Sequence, residues 1–342
     1  MAKKAKTVSK KSKVKEGGNY FASKKKKIRF IPSGSKTHDL ALGGGWAIGR
    51  VSNIVGDKSS GKTLLCIEAC ANFAAKYPEG RIIYRETESA FDKDYARALG
   101  MPVSRVEFGD EMYETVEDIY DDIKSIIKEE PEHPVLYILD SLDAISDKAE
   151  MAKDFDAGSF GGSKPKQIGA LFRRLNQDMT DNDITLMIVS QERDKIGVMF
   201  GEKTTRSGGR ALDFYASQIL WLHQLQKIEK TISGIKRKIG INIKAQVKKN
   251  KVGLPFREAT FPILFGYGID DMQSCLDWLK SAKSLKLAGL SESTDLAKLA
   301  RSLRESEEAS DAKQAAKIKQ AVEDRWYEIE ESFLPKKQKY GG

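Results

Sequence analysis

Apolar residues fall into two alternating patterns along this chain. Short runs with an apolar nucleus that read as buried strands occupy Val51 to Val55, Arg81 to Glu86, Val135 to Leu139 and Ile184 to Val189. Between them lie segments with helical spacing: Leu64 to Lys76, Lys93 to Leu99 and Glu114 to Lys128. A further helix is predicted from Pro165, its stripe being Ile168, Leu171, Phe172, Leu175 and Met179. Buried strands alternating with helices predict an α/β fold with a doubly wound, mostly parallel central sheet. Ala216 to Leu222, Ile239 to Val247 and Glu258 to Phe265 read as later strands, the second by its alternation. From Asp270 onward the pattern turns helical and rich in Ala, Leu, Lys and Glu. The expected division is therefore a core over 28–269 and a helical region over 270–342. Ile28 to Ile48 reads as a turn-rich lead-in, with Pro32-Ser33-Gly34 and Gly43-Gly44-Gly45. Two polar segments, 154–164 and 194–209, read as loops; a long polar loop in a compact domain is functional or disordered.

Charge changes the picture at one end only. The 342 residues carry a net +9, but residues 1–27 hold eleven Lys against Glu16 alone. That arm is +10, so the net +9 leaves the remainder at −1. Such an arm is too polar to fold alone and suits phosphate backbones. No apolar run approaches the roughly 18 residues needed to span a bilayer, and the N-terminus lacks an apolar signal core. Cys66, Cys70 and Cys275 form no metal-ligand spacing, which points to a reducing cytoplasm.

The chemistry is concentrated at Gly56-Asp57-Lys58-Ser59-Ser60-Gly61-Lys62-Thr63, between an apolar run and a helical segment. Strand, Gly-rich loop and helix with G-x-x-x-x-G-K-T form a triphosphate cradle. Backbone N–H groups close around phosphate oxygens, and the helix N-terminus adds its partial positive charge. Lys62 would reach the β- and γ-phosphates, and the Thr63 hydroxyl would hold Mg²⁺. The run Val135 to Leu139 closes on Asp140, a carboxylate placed to hold Mg²⁺ through water or Thr63. ATP and Mg²⁺ are the cofactors this implies.

From about Pro32 to Gly268 the chain resembles the bacterial RecA recombinase family. Beside the phosphate loop, the resemblance rests on Thr87-Glu88-Ser89-Ala90-Phe91-Asp92 continuing to Tyr95-Ala96-Arg97-Ala98-Leu99-Gly100. It rests also on Lys195-Ile196-Gly197-Val198-Met199-Phe200-Gly201 with Gly208-Gly209-Arg210-Ala211-Leu212-Asp213-Phe214-Tyr215, and on Lys249-Asn250-Lys251 before Pro255-Phe256. The fold implied is a RecA-like P-loop ATPase core, with a basic N-terminal arm and a small helix-rich C-terminal region. Residue by residue, Glu88 would polarise the attacking water, with Glu86 as the rival carboxylate. Asp92 and Tyr95 match adenine contacts, and Gln191 matches a γ-phosphate sensor. Lys249 and Lys251 match lysines that enter the next subunit's ATP site. DNA contacts would come from 154–164 and 194–209: Lys195, Ile196, Gly197, Val198, Met199, Phe200, Gly208 and Gly209, with Arg173, Arg174 and Arg206 on phosphates. For Arg173 and Arg174 a solvated helix face is the competing reading.

The resemblance implies a DNA-dependent ATPase that forms a helical homo-oligomer on single-stranded DNA and exchanges that strand with homologous duplex. Single-stranded-DNA-binding and loading proteins are among the implied partners. A ring-forming helicase of the same superfold and a non-catalytic DNA-coating relative stay open as alternatives. Two departures stand out: the N-terminal segment is short and Lys-rich, and Pro335 to Tyr340 is basic where the family has an acidic tail. The second predicts weaker autoinhibition of duplex uptake.

Overall fold

The computed structural model describes residues 27–109, 112–152, 163–194, 204–336 and 339. The Lys-rich arm read at 1–27 therefore lies outside the described residues, except for Lys27. A ten-stranded sheet runs in the order β12-β11-β10-β9-β3-β7-β6-β4-β5, with β8 paired to β7. The strands are β3 (Val51–Gly56), β4 (Arg81–Glu86), β5 (Val106–Glu107), β6 (Val135–Asp140), β7 (Ile184–Asp194), β8 (Thr204–Arg206), β9 (Gln218–Ile232), β10 (Ile235–Asn250), β11 (Glu258–Leu264) and β12 (Gly268–Ile269). From β9 to β5 the path is parallel; from β9 to β12 it is antiparallel. A small sheet pairs β1 (Phe30–Ile31) with β2 (Trp46–Ala47).

The apolar runs follow from burial on both faces. Leu136 and Ile138 of β6 join one apolar cluster, while Val135, Tyr137 and Leu139 join the other. The first cluster is closed by α1 (Lys36–Leu42) and α2 (Lys62–Lys76). The second is closed by α4 (Val116–Lys128), α6 (Ser163–Asp181) and α7 (Gly209–Tyr215). The short helices α3 (Lys93–Ala98) and α5 (Lys148–Met151) sit in the connections. Thr115 and Asp118 cap α4 reciprocally, which fixes where that helix starts.

Beyond Asp270 come α8 (Asp271–Ser281), α9 (Leu296–Glu305) and α10 (Ala309–Phe333). Their apolar residues, among them Leu276, Leu279, Ile318, Val322 and Trp326, belong to the same buried cluster as Phe261 and Ile263 of β11. Ion pairs Lys36–Glu323 and Lys319–Asp271, at 2.7 and 2.8 Å, fasten these helices to α1 and to each other. Among the described residues, no helix is long and apolar enough to cross a membrane.

Four regions depart from the sequence expectations. The lead-in contains a helix, α1, as well as β1 and β2. Strand β7 continues to Asp194 because β8 folds back and supplies it with an antiparallel partner. Residues 209–215, at the end of the expected loop, are helical. Strands β9 and β10 run well past Leu222 and start well before Ile239, joined at Ser233-Gly234, both with positive φ. This outer ribbon has no apolar layer to lie on, so its residues show no alternation. Backbone pairing across a tight turn holds it.

Candidate nucleotide and DNA site

The site is built at the carboxyl edge of the parallel strands, where Gly56 of β3 is level with Gln191 of β7 and Glu86 of β4 with Asp140 of β6. Open α/β sheets hold ligands at this edge. The phosphate loop leaves β3 and enters α2, with Gly61 at its N-cap in the left-handed region, φ 89°. A Cβ on Gly56 would stand 2.4 Å from Ser60 Oγ, and one on Gly61 2.7 Å from Ile263 Cδ1. Only glycine lets the loop close this tightly. Lys62 Nζ donates to the carbonyls of Gly56 and Asp57 at 3.0 and 2.8 Å, so the ammonium lies folded over the loop. Burial lowers its pKa, against the opposing pull of Asp140, Glu88, Asp57 and Asp143.

Thr63 Oγ1 and Tyr84 Oη both donate to Asp140 Oδ2 at 2.8 Å. Asp140 is nearly enclosed, and burial raises its pKa, although these two donors oppose the shift. A hydroxyl and a carboxylate oxygen at this separation are hard donors suited to Mg²⁺. Among the described residues, no cluster of three or more His, Cys, Asp or Glu forms a metal cage. The pair therefore fits an ion that arrives with phosphate oxygens and water, as Mg²⁺ does with a nucleotide.

Glu88 sits directly across from this pair. Ser141 Oγ donates to its Oε1 at 2.5 Å, and Gln191 Nε2 approaches the same oxygen at 3.4 Å. The Glu88 segment is pinned to Asp140 and Ser141 by Thr87, whose N–H donates to Asp140 O and whose Oγ1 donates to Ser141 O. Glu86 instead accepts the backbone N–H groups of Glu88, Ser89 and Ala90, closing the turn after β4. Of the two carboxylates, Glu86 is spent on the backbone and Glu88 faces Gln191.

Asp92 caps α3, its Oδ1 accepting from the N–H groups of Asp94 and Tyr95 at 2.9 Å. Tyr95, half-exposed, borders a cavity of about 270 Å³ that runs along Ser59 to Thr63 and is closed by Ile241, Ile263 and Phe265. The three apolar walls come from β10, β11 and the residue after β11, and no sequence spacing relates them to the loop. Only the sheet order places them there.

The residues expected from the sequence to meet DNA fall in several places. Lys195, Ile196, Gly197, Val198, Met199 and Phe200 lie outside the described residues, as does most of 154–164. Both stems of the second segment, β7 and β8, leave the sheet at the phosphate-loop edge. Gly208 and Gly209 have positive φ and open α7. Arg173 and Arg174 are exposed on α6, and Arg174 stacks over the Tyr120 ring of α4 at 5.8 Å. Arg206 is buried and ion-paired with Asp213. Expected at a phosphate, its guanidinium is instead engaged within the chain, tying β8 to α7.

Lys249 and Lys251 occupy the opposite end of the sheet. Asn250 is level with Gln218, and Gln218 with Ser52, so these lysines stand where β3 begins, not where its loop leaves. Both donate to the Phe214 carbonyl at 3.0 Å, and Lys249 also to the Asp213 carbonyl, capping the C-terminus of α7. Burial and the neighbouring Lys251 lower the Lys249 pKa to about 8.

Comparison with known proteins gives the family. The RecA N-terminal domain family matches residues 1–270. Protein RecA of Trichodesmium erythraeum is 34% identical over 268 residues, covering 77% of this chain and 70% of the relative. Protein RecA of Arthrospira platensis is 33% identical over 272 residues, covering 78% and 70%. Protein RecA of Cutibacterium acnes is 35% identical over 257 residues, covering 73% and 69%. Together with the phosphate loop, the Glu88 to Tyr95 segment and the sheet order, these matches make the chain a member of the RecA family, the recombinases that are DNA-dependent ATPases.

Proposed function

We propose that ATP is hydrolysed at the carboxyl edge of β3, β4, β6 and β7, and that Gln191 passes the state of that site to the DNA-binding segment. Lys62 turns from the loop carbonyls to the β- and γ-phosphate oxygens. Thr63 and Asp140 hold Mg²⁺, which when bound neutralises charge between the phosphates. Glu88 orients the attacking water and accepts its proton. Asp92, Tyr95, Ile241, Ile263 and Phe265 form the slot for the base.

The observation that carries the coupling is the position of Gln191. Its side chain reaches the Glu88 carboxylate at 3.4 Å, and at the next residue, Glu192, the chain enters the β7–β8 stem of the second segment. A γ-phosphate that attracts the Gln191 amide shifts the root of that segment. Helix α7 continues from the segment to the far edge of the sheet, where Lys249 and Lys251 cap it. Those lysines stand away from their own phosphate loop, which supports their entry into the ATP site of the next subunit in a filament. Single-stranded DNA then meets residues 195–209 and Arg173, held by phosphate contacts without sequence preference.

The test is steady-state ATP hydrolysis with and without unstructured single-stranded DNA, at two salt concentrations. Stimulation that fades with salt is expected. Tight DNA binding without stimulation would favour a coating relative, and no response to DNA would overturn the reading.

A further inference from the structure

Asp143 lies three residues beyond Asp140, in the turn after β6 that a hydrogen bond from Leu142 N–H to Val189 O fixes against β7. Its side chain is 7% exposed. Three donors converge on this carboxylate. The Gln191 N–H donates to Oδ2 at 2.6 Å, and Arg193 Nη2 and Ser207 Oγ donate to Oδ1 at 2.8 and 2.5 Å. Gln191 and Arg193 belong to the outgoing stem of the segment assigned to DNA, and Ser207 to its return. One carboxylate thus grips both stems and the backbone of the sensor, and it is near enough to Lys62 to act on that ammonium.

Arg193 is 58% exposed at the root of the segment, so its guanidinium borders solvent while its charge is taken up by Asp143. A carboxylate and a DNA phosphate offer a guanidinium the same paired oxygen acceptors, and they compete for it. We propose that Asp143 is a positioning residue for DNA-coupled hydrolysis. It holds Arg193 and Ser207 in the DNA-free arrangement, and a DNA phosphate displaces it from Arg193. When that exchange occurs, the Gln191 backbone loses part of its anchor, and the DNA signal reaches the Glu88 carboxylate. This inference rests on the assignment of the segment to DNA and adds the residue that restrains it.

The experiment compares the wild-type chain with Asp143→Asn, Arg193→Gln and the double variant, reading single-stranded DNA affinity with ADP bound and the fold-stimulation of ATP hydrolysis by DNA. Asp143→Asn keeps the side-chain shape and an acceptor oxygen but loses the charge. It is expected to bind DNA about five- to tenfold more tightly, of the order of one net hydrogen bond, while stimulation falls. The gain in affinity is expected to vanish in the double variant when it is compared with Arg193→Gln alone. Opposite movement of affinity and stimulation is what damage to the fold does not produce. Parallel loss of both, no change in either, or a gain that survives in the double variant would overturn the inference. Wild-type hydrolysis that ignores DNA would overturn the DNA reading and this inference with it. Stimulated wild-type hydrolysis with unaltered variants would overturn this inference alone.

Discussion

At the scale of single residues, two neighbours in α1 set opposing pH dependences. His38 is fully buried against Trp46 and Phe261, neither ring nitrogen has a hydrogen-bond partner, and burial lowers its pKa from 6.5 to about 3. Asp39 is largely enclosed, its Oδ1 accepts the Ser33 N–H, and burial raises its pKa from 3.8 to about 7 against the opposing pull of Ser33. Between pH 3 and 6.5 the unfolded chain holds a proton on His38 that the folded chain lacks, so this contribution to stability rises with pH. Between pH 3.8 and 7 the folded chain holds a proton on Asp39 that the unfolded chain has lost, so that contribution falls as pH rises. His38→Phe keeps the packing and removes only the first slope. Denaturant unfolding is expected to show the variant gaining stability over wild type at pH 4.5 and gaining less at pH 7. An equal gain at both pH values would show that His38 does not titrate on unfolding. In the cavity proposed to take the ATP base, Tyr95→Ala and Phe265→Ala each remove one wall. A base–aromatic contact is worth about 1–3 kcal/mol, so the ATP Kd by calorimetry should rise roughly 5- to 150-fold. An unchanged Kd would move the base elsewhere.

At the scale of elements, legibility follows how each element is buried. Strands β3, β4 and β6 could be read from the chain because both faces of each are covered, leaving short runs with an apolar nucleus. The buried polar residues Ser52, Asn53 and Arg85 make hydrogen bonds there. The loop around Lys62 was legible because phosphate geometry needs fixed residues at fixed offsets. The outer parts of β9 and β10 were not, because they bury nothing and leave no periodicity. Helix α7 was hidden because Gly208-Gly209 reads as loop and only Leu212 is buried within it. The walls at Ile241, Ile263 and Phe265, and the reach of Asp143 to Arg193 and Ser207, depend on strands meeting across the sheet. At this scale Glu88→Gln should slow hydrolysis by about 10² or more while ATP and DNA remain bound, because Glu86 is engaged with the backbone. Wild-type turnover in that variant would move the water-activating role to another group.

At the scale of the whole molecule, the sheet has two working ends. One carries the phosphate loop, Glu88, Gln191 and the β7 and β8 stems, and the other carries Lys249 and Lys251. Under the proposed function, a single chain would offer an ATP site at one end and a cationic pair for another chain's site at the other, as a head-to-tail filament requires. Lys249→Ala and Glu88→Gln chains should each be inactive alone. Mixed before DNA is added, they should recover part of the wild-type hydrolysis, because some interfaces then combine an intact Glu88 with an intact Lys249. A mixture no more active than its components would place Lys249 outside the neighbouring site.

The most direct test of the coupling through Gln191 is the affinity for labelled single-stranded DNA with ADP and with a non-hydrolysable ATP analogue, in wild type and in Gln191→Ala. The wild-type chain should bind at least about tenfold more tightly with the triphosphate, a coupling of about 1.4 kcal/mol, and Gln191→Ala should bind equally in both states. A Gln191→Ala chain that keeps the full wild-type difference would contradict the account.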